Sequence, residues 1–164
     1  MEVAIIDDIR TSGCIGKTRA LCIDYGDKRI GIAVSDIGWQ IASPLKVINS
    51  HGCFPAIMDF VNEYAVGVIV IGIPYALNGG AAGQQREKVE KFIDKLRSIL
   101  ALEMPDKENA SIKIIVWDER YSSVDANKLL DEACMSKRSR RSRIDKVAAS
   151  LILQGMVDAL HARS

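Results

Sequence analysis

Hydrophobic and polar positions in the first half of the chain alternate in a way that predicts a sheet. The stretch 21–36 consists of two apolar runs rich in β-forming residues, joined by a polar Tyr-Gly-Asp-Lys turn, which indicates a β-hairpin. Residues 40–48 make a third apolar segment, in which Pro44 predicts an edge or a bend. The chain is therefore expected to open with three strands in a meander.

Helical and strand periodicities alternate in the rest of the chain. The predicted segments are helix 54–64, strand 66–72, helix 84–100, strand 112–117, a helix over 122–133, and a last helix that starts near Arg143. The run 66–72 is apolar throughout, which is typical of a central parallel strand covered on both faces. The order β-β-β-α-β-α-β-α-α predicts an α/β fold with a mixed five-stranded sheet flanked by helices.

Composition narrows the class of protein without identifying it. With 164 residues, 48% hydrophobic, the chain suits one globular domain, and its net charge of +1 gives no global sign of an acidic or basic partner. No apolar run is long enough to cross a bilayer, so a protein of the cytoplasm without membrane contact is expected. The cysteines lack paired spacing, which favours reduced thiols and no structural zinc; they are Cys14, Cys22, Cys53 and Cys134.

Residues 1–19 carry no clear periodic element. Val3–Ile6 could form a short strand, and Gly16-Lys17-Thr18 ends like a phosphate-binding loop, but that motif needs glycine where Thr11 stands. We therefore expect residues 1–19 to be a flexible N-terminal extension ahead of one domain that spans 20–164.

Three acidic residues stand where catalysis could use them. Asp24 interrupts a strand, Glu119 follows the fifth strand, and Asp145 lies in the first turn of the last helix. If they converge, their mutual repulsion calls for a divalent cation, and oxygen ligands suit Mg²⁺ or Mn²⁺. Other interpretations stay open: Asp145 could form a capping box with Ser142, and Glu119 could pair with Arg120. The two histidines suggest neither a zinc site nor a catalytic triad.

A basic, serine-rich segment, 136–143, precedes the last helix and contains no apolar residue. Its cations could hold the phosphates of a nucleic acid beside Asp145, although a solvated or disordered linker would have the same composition. The candidate substrate-binding residues are Arg138, Arg140, Arg141 and Arg143, with Lys28, Arg29, Asn78 and Arg120 elsewhere in the chain.

Four motifs in order resemble one family. They are Asp24-Tyr25-Gly26-x-Lys28-Arg29-Ile30-Gly31-Ile32-Ala33, Gly72-Ile73-Pro74 followed by Asn78-Gly79, Asp118-Glu119-Arg120-x-Ser122-Ser123, and Ile144-Asp145-x-x-Ala148-Ala149-x-x-Ile152-Leu153-Gln154. Together they resemble the YqgF family, the Holliday-junction-resolvase-like pre-16S rRNA nucleases of bacteria. The similarity spans roughly residues 20–160. Two features depart from the family pattern: Asp27, where a small hydroxyl residue is common, and the extension 1–19.

The resemblance implies a ribonuclease H-like fold whose catalytic, metal-binding triad is Asp24, Glu119 and Asp145. It also implies Mg²⁺ or Mn²⁺ as cofactor and a role in maturing the 5′ end of 16S rRNA, with ribosomal precursor particles as possible partners. Our mechanistic hypothesis is hydrolysis by two metal ions held by the three carboxylates, with Asp24 as the best candidate to bridge them because a strand fixes it more rigidly than a loop would. Cleavage of branched DNA and a non-catalytic nucleic-acid-binding assembly factor are the alternatives. Whether the protein is a monomer or a homodimer stays open.

Overall fold

The structure, a computed structural model, describes residues 2–73, 81–104, 112–118 and 137–162, and for residues 2–5, 81–82 and 137–146 it describes the backbone alone. Nine elements follow one another in these ranges. They are α1 (Glu2–Thr11), β1 (Arg19–Tyr25), β2 (Arg29–Ser35), β3 (Ala42–Asn49), α2 (Phe54–Glu63), β4 (Val66–Ile73), α3 (Ala81–Glu103), β5 (Lys113–Asp118) and α4 (Lys137–His161).

The five strands form one mixed sheet in the order β3-β2-β1-β4-β5. Short turns join β1, β2 and β3 as antiparallel neighbours, whereas β4 lies parallel to both β1 and β5 because helices provide the crossover connections. This topology confirms the predicted mixed five-stranded sheet. The carboxyl ends of β1, β4 and β5 therefore meet at one edge of the sheet.

Each face of the sheet is covered by helices, because side chains alternate between the faces along every strand. Leu21 and Ile23 of β1 belong to the cluster that includes buried residues of α2 and α3. Ala20 and Cys22 belong to the cluster that includes buried residues of α1 and α4. We call these the α3 face and the α4 face. The apolar run of β4 contributes to both clusters, which explains why its sequence is apolar throughout.

The N-terminal segment contains a helix where the sequence indicated a flexible extension, and the short strand considered for Val3–Ile6 is wrong. Ile6 and Ile9 are 1% and 0% exposed in the same cluster as Leu160 of α4. The guanidinium of Arg10 donates a hydrogen bond to the carbonyl of Leu160. Packing on α4 therefore holds α1 in place. A phosphate-binding loop is followed by a helix, whereas Gly16-Lys17-Thr18 is followed by the strand β1.

Two further boundaries differ from those predicted. The segment 137–143, expected as a connector, is helical and forms the start of α4, and α3 extends beyond the predicted 84–100 at both ends. The helix predicted over 122–133 lies outside the described residues. Within the described ranges, every helix is too short or too polar to cross a bilayer.

Candidate functional site

Asp24 is the penultimate residue of β1, the middle strand of the sheet, and its side chain is half-buried. In the antiparallel pair it lies opposite Gly31 of β2. On the other side, the parallel register that pairs Ile23 with Ile71 continues to Gly72 as the neighbour of Asp24. Both glycines are buried, so the carboxylate has no side chain beside it in the sheet on either flank.

The face on which Asp24 lies follows from its neighbours along the strand. Ala20 and Cys22, four and two residues earlier, pack in the cluster of the α4 face, so alternation assigns Asp24 to that face. On the same face, Trp117 of β5 lies opposite Gly72 and is 2% exposed. A carboxylate in this setting loses part of its hydration, which makes it a strong candidate for binding a cation.

The other predicted site residues are only partly within the described structure. Glu119 follows directly after β5, and it lies outside the described residues together with Asn78 and Arg120. The backbone of residue 145 belongs to α4, as do those of residues 138, 140, 141 and 143. Within the described ranges, no three acidic, histidine or cysteine side chains form a group that could hold a metal ion. Asp24 is the single triad member whose side chain is described, so convergence of the triad stays a prediction.

The β1–β2 hairpin places Lys28 and Arg29 at the same end of the sheet as Asp24, and both are exposed. The turn is closed by the amide of Gly26, which donates to the carbonyl oxygen of Arg29 at 3.0 Å. A Cβ at residue 26 would lie 2.6 Å from that oxygen, so this turn requires glycine. An open groove of about 380 Å³ lies beside the hairpin, lined by Lys28, Arg29, Val47, Ile48 and Asn49.

Asp27 has a structural partner in α3. The ammonium of Lys88 lies 2.8 and 2.7 Å from its two carboxylate oxygens. The side chain of Gln85, one turn earlier on the same helix, donates to the carbonyl oxygen of Tyr25 at 3.1 Å. The acidic departure from the family pattern is therefore compensated by a lysine, and α3 fixes the hairpin at two points.

The described groups with shifted pKa values lie elsewhere. Three backbone amides donate to Asp36, with Ile41 contributing most, and they hold the pKa of its carboxyl below the usual range. Asp36 thus stabilises the β2–β3 turn, at the opposite end of the sheet from Asp24. Burial raises the pKa of the Cys53 thiol, which argues against a thiolate nucleophile there.

Two positions of the site, Gly31 and Asn49, were not predicted from the sequence. Tyr25 and Ile30 are the pair that closes the hairpin, and each step away from the turn pairs the next residue on each strand. The next pair is therefore Asp24 with Gly31, which makes Gly31 the neighbour of Asp24. Asn49 pairs with Arg29, but a register shift between β2 and β3 hides this pairing from simple alternation. Its place beside the hairpin required the structure.

Solved structures with the same architecture define the class of fold. RuvC of T. thermophilus, solved in complex with a Holliday junction substrate, has a TM-score of 0.55 at 12% identity, covering 89% of this chain and 95% of RuvC. The yeast mitochondrial Holliday junction resolvase Ydc2 has a TM-score of 0.57 at 12% identity, covering 97% of this chain and 85% of Ydc2. The fold is thus ribonuclease H-like, as found in resolvases.

Sequence comparison identifies the family. The profile of the RuvX family, described as Holliday junction resolvase, matches residues 18–159. A relative from Thermoanaerobacter pseudethanolicus, named "Putative pre-16S rRNA nuclease", is 40% identical over 145 residues, 86% of this chain and 96% of its own. A relative of the same name from Clostridium tetani is 40% identical over 146 residues, 87% of this chain and 98% of its own. The chain belongs to the RuvX family, which confirms the resemblance seen in its motifs.

Proposed function

We propose that this protein is a divalent-metal-dependent nuclease that processes the 5′ end of precursor 16S rRNA. The observation that carries the proposal is the position of Asp24, a half-buried carboxylate on the central strand, flanked by Gly31 and Gly72. No side chain projects from the two positions that flank the carboxylate in the sheet, so a metal ion held there would meet backbone alone on either flank. The names of the RuvX relatives supply the substrate class.

Strand geometry supports the approach of Glu119 to Asp24. Because Trp117 belongs to the α4 face, alternation would return residue 119 to that face, two strand positions further along. Since β4 alone separates β5 from β1, and residue 119 is two positions past Trp117, the backbones of residues 24 and 119 would be about 12 Å apart. That separation is within reach of two carboxylate side chains directed at a shared ion.

Helix geometry supports the approach of Asp145. The stripe of α4 that packs on the sheet includes Ala149, Ile152 and Met156, all buried. Residue 145 lies four positions before Ala149, so it continues this stripe by one turn toward the amino terminus of the helix. The alternative that Asp145 caps the helix loses its basis, because α4 begins eight residues earlier, at Lys137.

We infer that Asp24, Glu119 and Asp145 hold Mg²⁺ or Mn²⁺ through carboxylate oxygens, which these hard cations prefer. Bound divalent ions would supply an activated water and neutralise charge on the scissile phosphate. Asp24 is the residue best suited to hold such ions, because two hydrogen-bonded neighbour strands fix its backbone. The protein's own contribution is then position and charge.

The start of α4 supplies the proposed substrate contacts. On a continuous helix, residues 138, 141 and 145 share a face, whereas 140 and 143 lie away from it. Arg138 and Arg141 would therefore contact phosphates near the metal ions. Arg141→Ala should weaken substrate binding more than Arg143→Ala, its matched control on the same helix. Equal effects of the two substitutions would remove this assignment.

The decisive experiment measures cleavage of labelled precursor 16S rRNA with Mg²⁺ or Mn²⁺, beside a four-way DNA junction. Wild type is compared with Asp24→Asn, which removes the charge at nearly constant shape. The control is Asp59→Asn, at an exposed position on α2, which packs on the α3 face. Metal-dependent cleavage of the RNA that Asp24→Asn alone abolishes is expected. Full activity of Asp24→Asn would overturn the proposal.

Cleavage of branched DNA is the second candidate, because the matching family profile carries the description Holliday junction resolvase. Symmetric resolution of a junction needs two active sites and hence a dimer. Junction cleavage without RNA cleavage in the same experiment would select this function. Binding without cleavage of either substrate would indicate an assembly factor, and sedimentation of the same samples would give the oligomeric state.

A further inference from the structure

The groove beside the β1–β2 hairpin lies at the edge strand β3, and three of its lining residues, Arg29, Val47 and Asn49, are on the same face of the sheet as Asp24. Arg29 pairs with Asn49, and the next non-adjacent pair inward is Gly31 with Val47. Gly31 is also the partner of Asp24, so Val47, Gly31 and Asp24 form one row across three strands. Arg29 and Asn49 form the next row on the same face, toward the end of the sheet. We call this surface the strand-end groove.

The distance from Asp24 to the strand-end groove follows from strand dimensions. Gly31 lies opposite Asp24 on the neighbouring strand, and Arg29 is two residues from Gly31 along that strand. The backbones of Arg29 and Asp24 are therefore about 8 Å apart. Asn49 is a further strand away, at about 12 Å. One strand of a duplex carries a phosphate about every 3.4 Å of helix axis, so this separation corresponds to about two to four nucleotides along the axis of a bound duplex.

The charge of the groove suits an anionic polymer. Two of its five lining residues are basic and none is acidic. Asp27, the acid in the turn itself, is paired with Lys88 of α3 at 2.7 Å, so its charge is already compensated within the fold. The oxygen of the Asn49 side chain accepts from the amide of His51 at 2.9 Å, which orients that side chain's amide group at the edge of the groove. Apolar Val47 and Ile48 complete the lining.

We propose that the strand-end groove binds one strand of the nucleic-acid substrate, a few nucleotides from the bond that is cut. Lys28 and Arg29 contact its phosphates, and Val47 and Asn49 contact a sugar or base. The groove deepens the proposed function and rests on it, because it adds a second contact surface to the one at the start of α4. The groove lies on the β2–β3 side of Asp24, and β4 and β5 lie on the other side. A nucleic-acid strand in the groove would therefore pass over the proposed metal-binding edge of the sheet.

The test measures binding of a fluorescent single-stranded RNA in metal-free buffer, over 50–200 mM salt. Each phosphate contact to a single strand contributes about 0.7 to the slope of log K against log salt. Lys28→Ala/Arg29→Ala should reduce the slope by about 1.4, and Lys28→Ala alone by about 0.7. The matched control is Lys46→Ala: Lys46 is exposed on β3, but it pairs with Ile32 of the α3 face and should leave the slope unchanged.

Shortening the RNA provides a second readout. RNAs shortened from one end or the other should bind wild type more weakly once they no longer reach the groove. The Lys28→Ala/Arg29→Ala variant should bind the long and the short RNA with equal affinity. Thermal melting checks that each variant is folded, and Lys28→Ala, in the exposed turn, keeps the test valid if the double variant unfolds.

An unchanged salt slope in folded Lys28→Ala, or an equal loss in Lys46→Ala, would overturn the strand-end groove. Failure of the groove and failure of the nuclease proposal are distinguishable. Cleavage with an unchanged slope removes only the groove, whereas a reduced slope without any metal-dependent cleavage removes only the nuclease activity. Asp24→Asn should abolish cleavage and preserve the slope, which separates the two surfaces within one protein.

Discussion

Replacing Gly26 with alanine should loosen the hairpin that carries both Asp24 and the strand-end groove. The added Cβ would lie 2.6 Å from the carbonyl oxygen of Arg29, a backbone atom that cannot rotate away as a side chain could. The turn must therefore open, which weakens the 3.0 Å hydrogen bond from the amide of Gly26 to the same oxygen. Overpacking costs about 1–3 kcal/mol and the lost bond about 1 kcal/mol, so the expected total is about 2–4 kcal/mol.

Urea unfolding measures this loss directly, and thermal melting should show a midpoint lower by roughly 4–16 °C for a chain of this size. The control is Gly83→Ala in α3, where an added Cβ meets no atom within 4 Å. That change should leave stability equal or raise it by up to about 1 kcal/mol, because alanine favours helix. A Gly26→Ala variant within about 0.5 kcal/mol of wild type would refute the steric argument.

Three further predictions concern packing and electrostatics in the rest of the fold. Ala149→Leu, at a position with 0% exposure, should lower the free energy of unfolding in urea by about 1–3 kcal/mol and reduce cleavage, because the larger side chain displaces the start of α4. Leu160→Ala, at the far end of α4, should lower the free energy of unfolding by about 2–5 kcal/mol and leave the cleavage rate of the folded protein intact. Lys88→Ala should change stability by less than about 1 kcal/mol, since its ion pair with Asp27 is 47% and 56% exposed. Asp36→Asn should be less stable than wild type at neutral pH, and the difference should shrink as the pH falls. The pKa of Asp36 is lower in the folded state than its unfolded value of 3.8, so its contribution to stability is present above that value and is lost as the pH falls below it.

The parts of the fold that could be predicted are those encoded in local pattern. The hairpin follows from two apolar runs around a glycine-containing turn, and the parallel strand β4 from a run that is apolar on both faces. Asp24 could be singled out because a carboxylate interrupts an apolar strand without a turn or cap to explain it. In each case neighbouring residues determine the outcome.

The parts that could not be predicted depend on contacts between distant residues. The helix α1 is held by burial of Ile6 and Ile9 in a cluster with Leu160, about 150 positions later in the chain. The three-residue spacing of these isoleucines fits a helix, but so short a run does not show by itself that a partner will cover it. The start of α4 contains arginine and serine but no apolar stripe. Its helical backbone continues from the packed part of the helix, because extending a helix costs far less than nucleating one.

Binding of Mg²⁺ should stabilise the wild-type protein and not Asp24→Asn. If the carboxylate is a metal ligand, the folded state binds the ion and the unfolded chain does not, so the midpoint of unfolding rises with Mg²⁺ concentration. At a concentration one hundred times the dissociation constant, the expected gain is about 2.7 kcal/mol. Thermal melts with EDTA and with a Mg²⁺ series measure the shift, with Asp59→Asn as a variant that should respond like wild type. Equal shifts in wild type and Asp24→Asn would place the ion elsewhere, because removing a ligand's charge must lower the affinity for a divalent cation at that site.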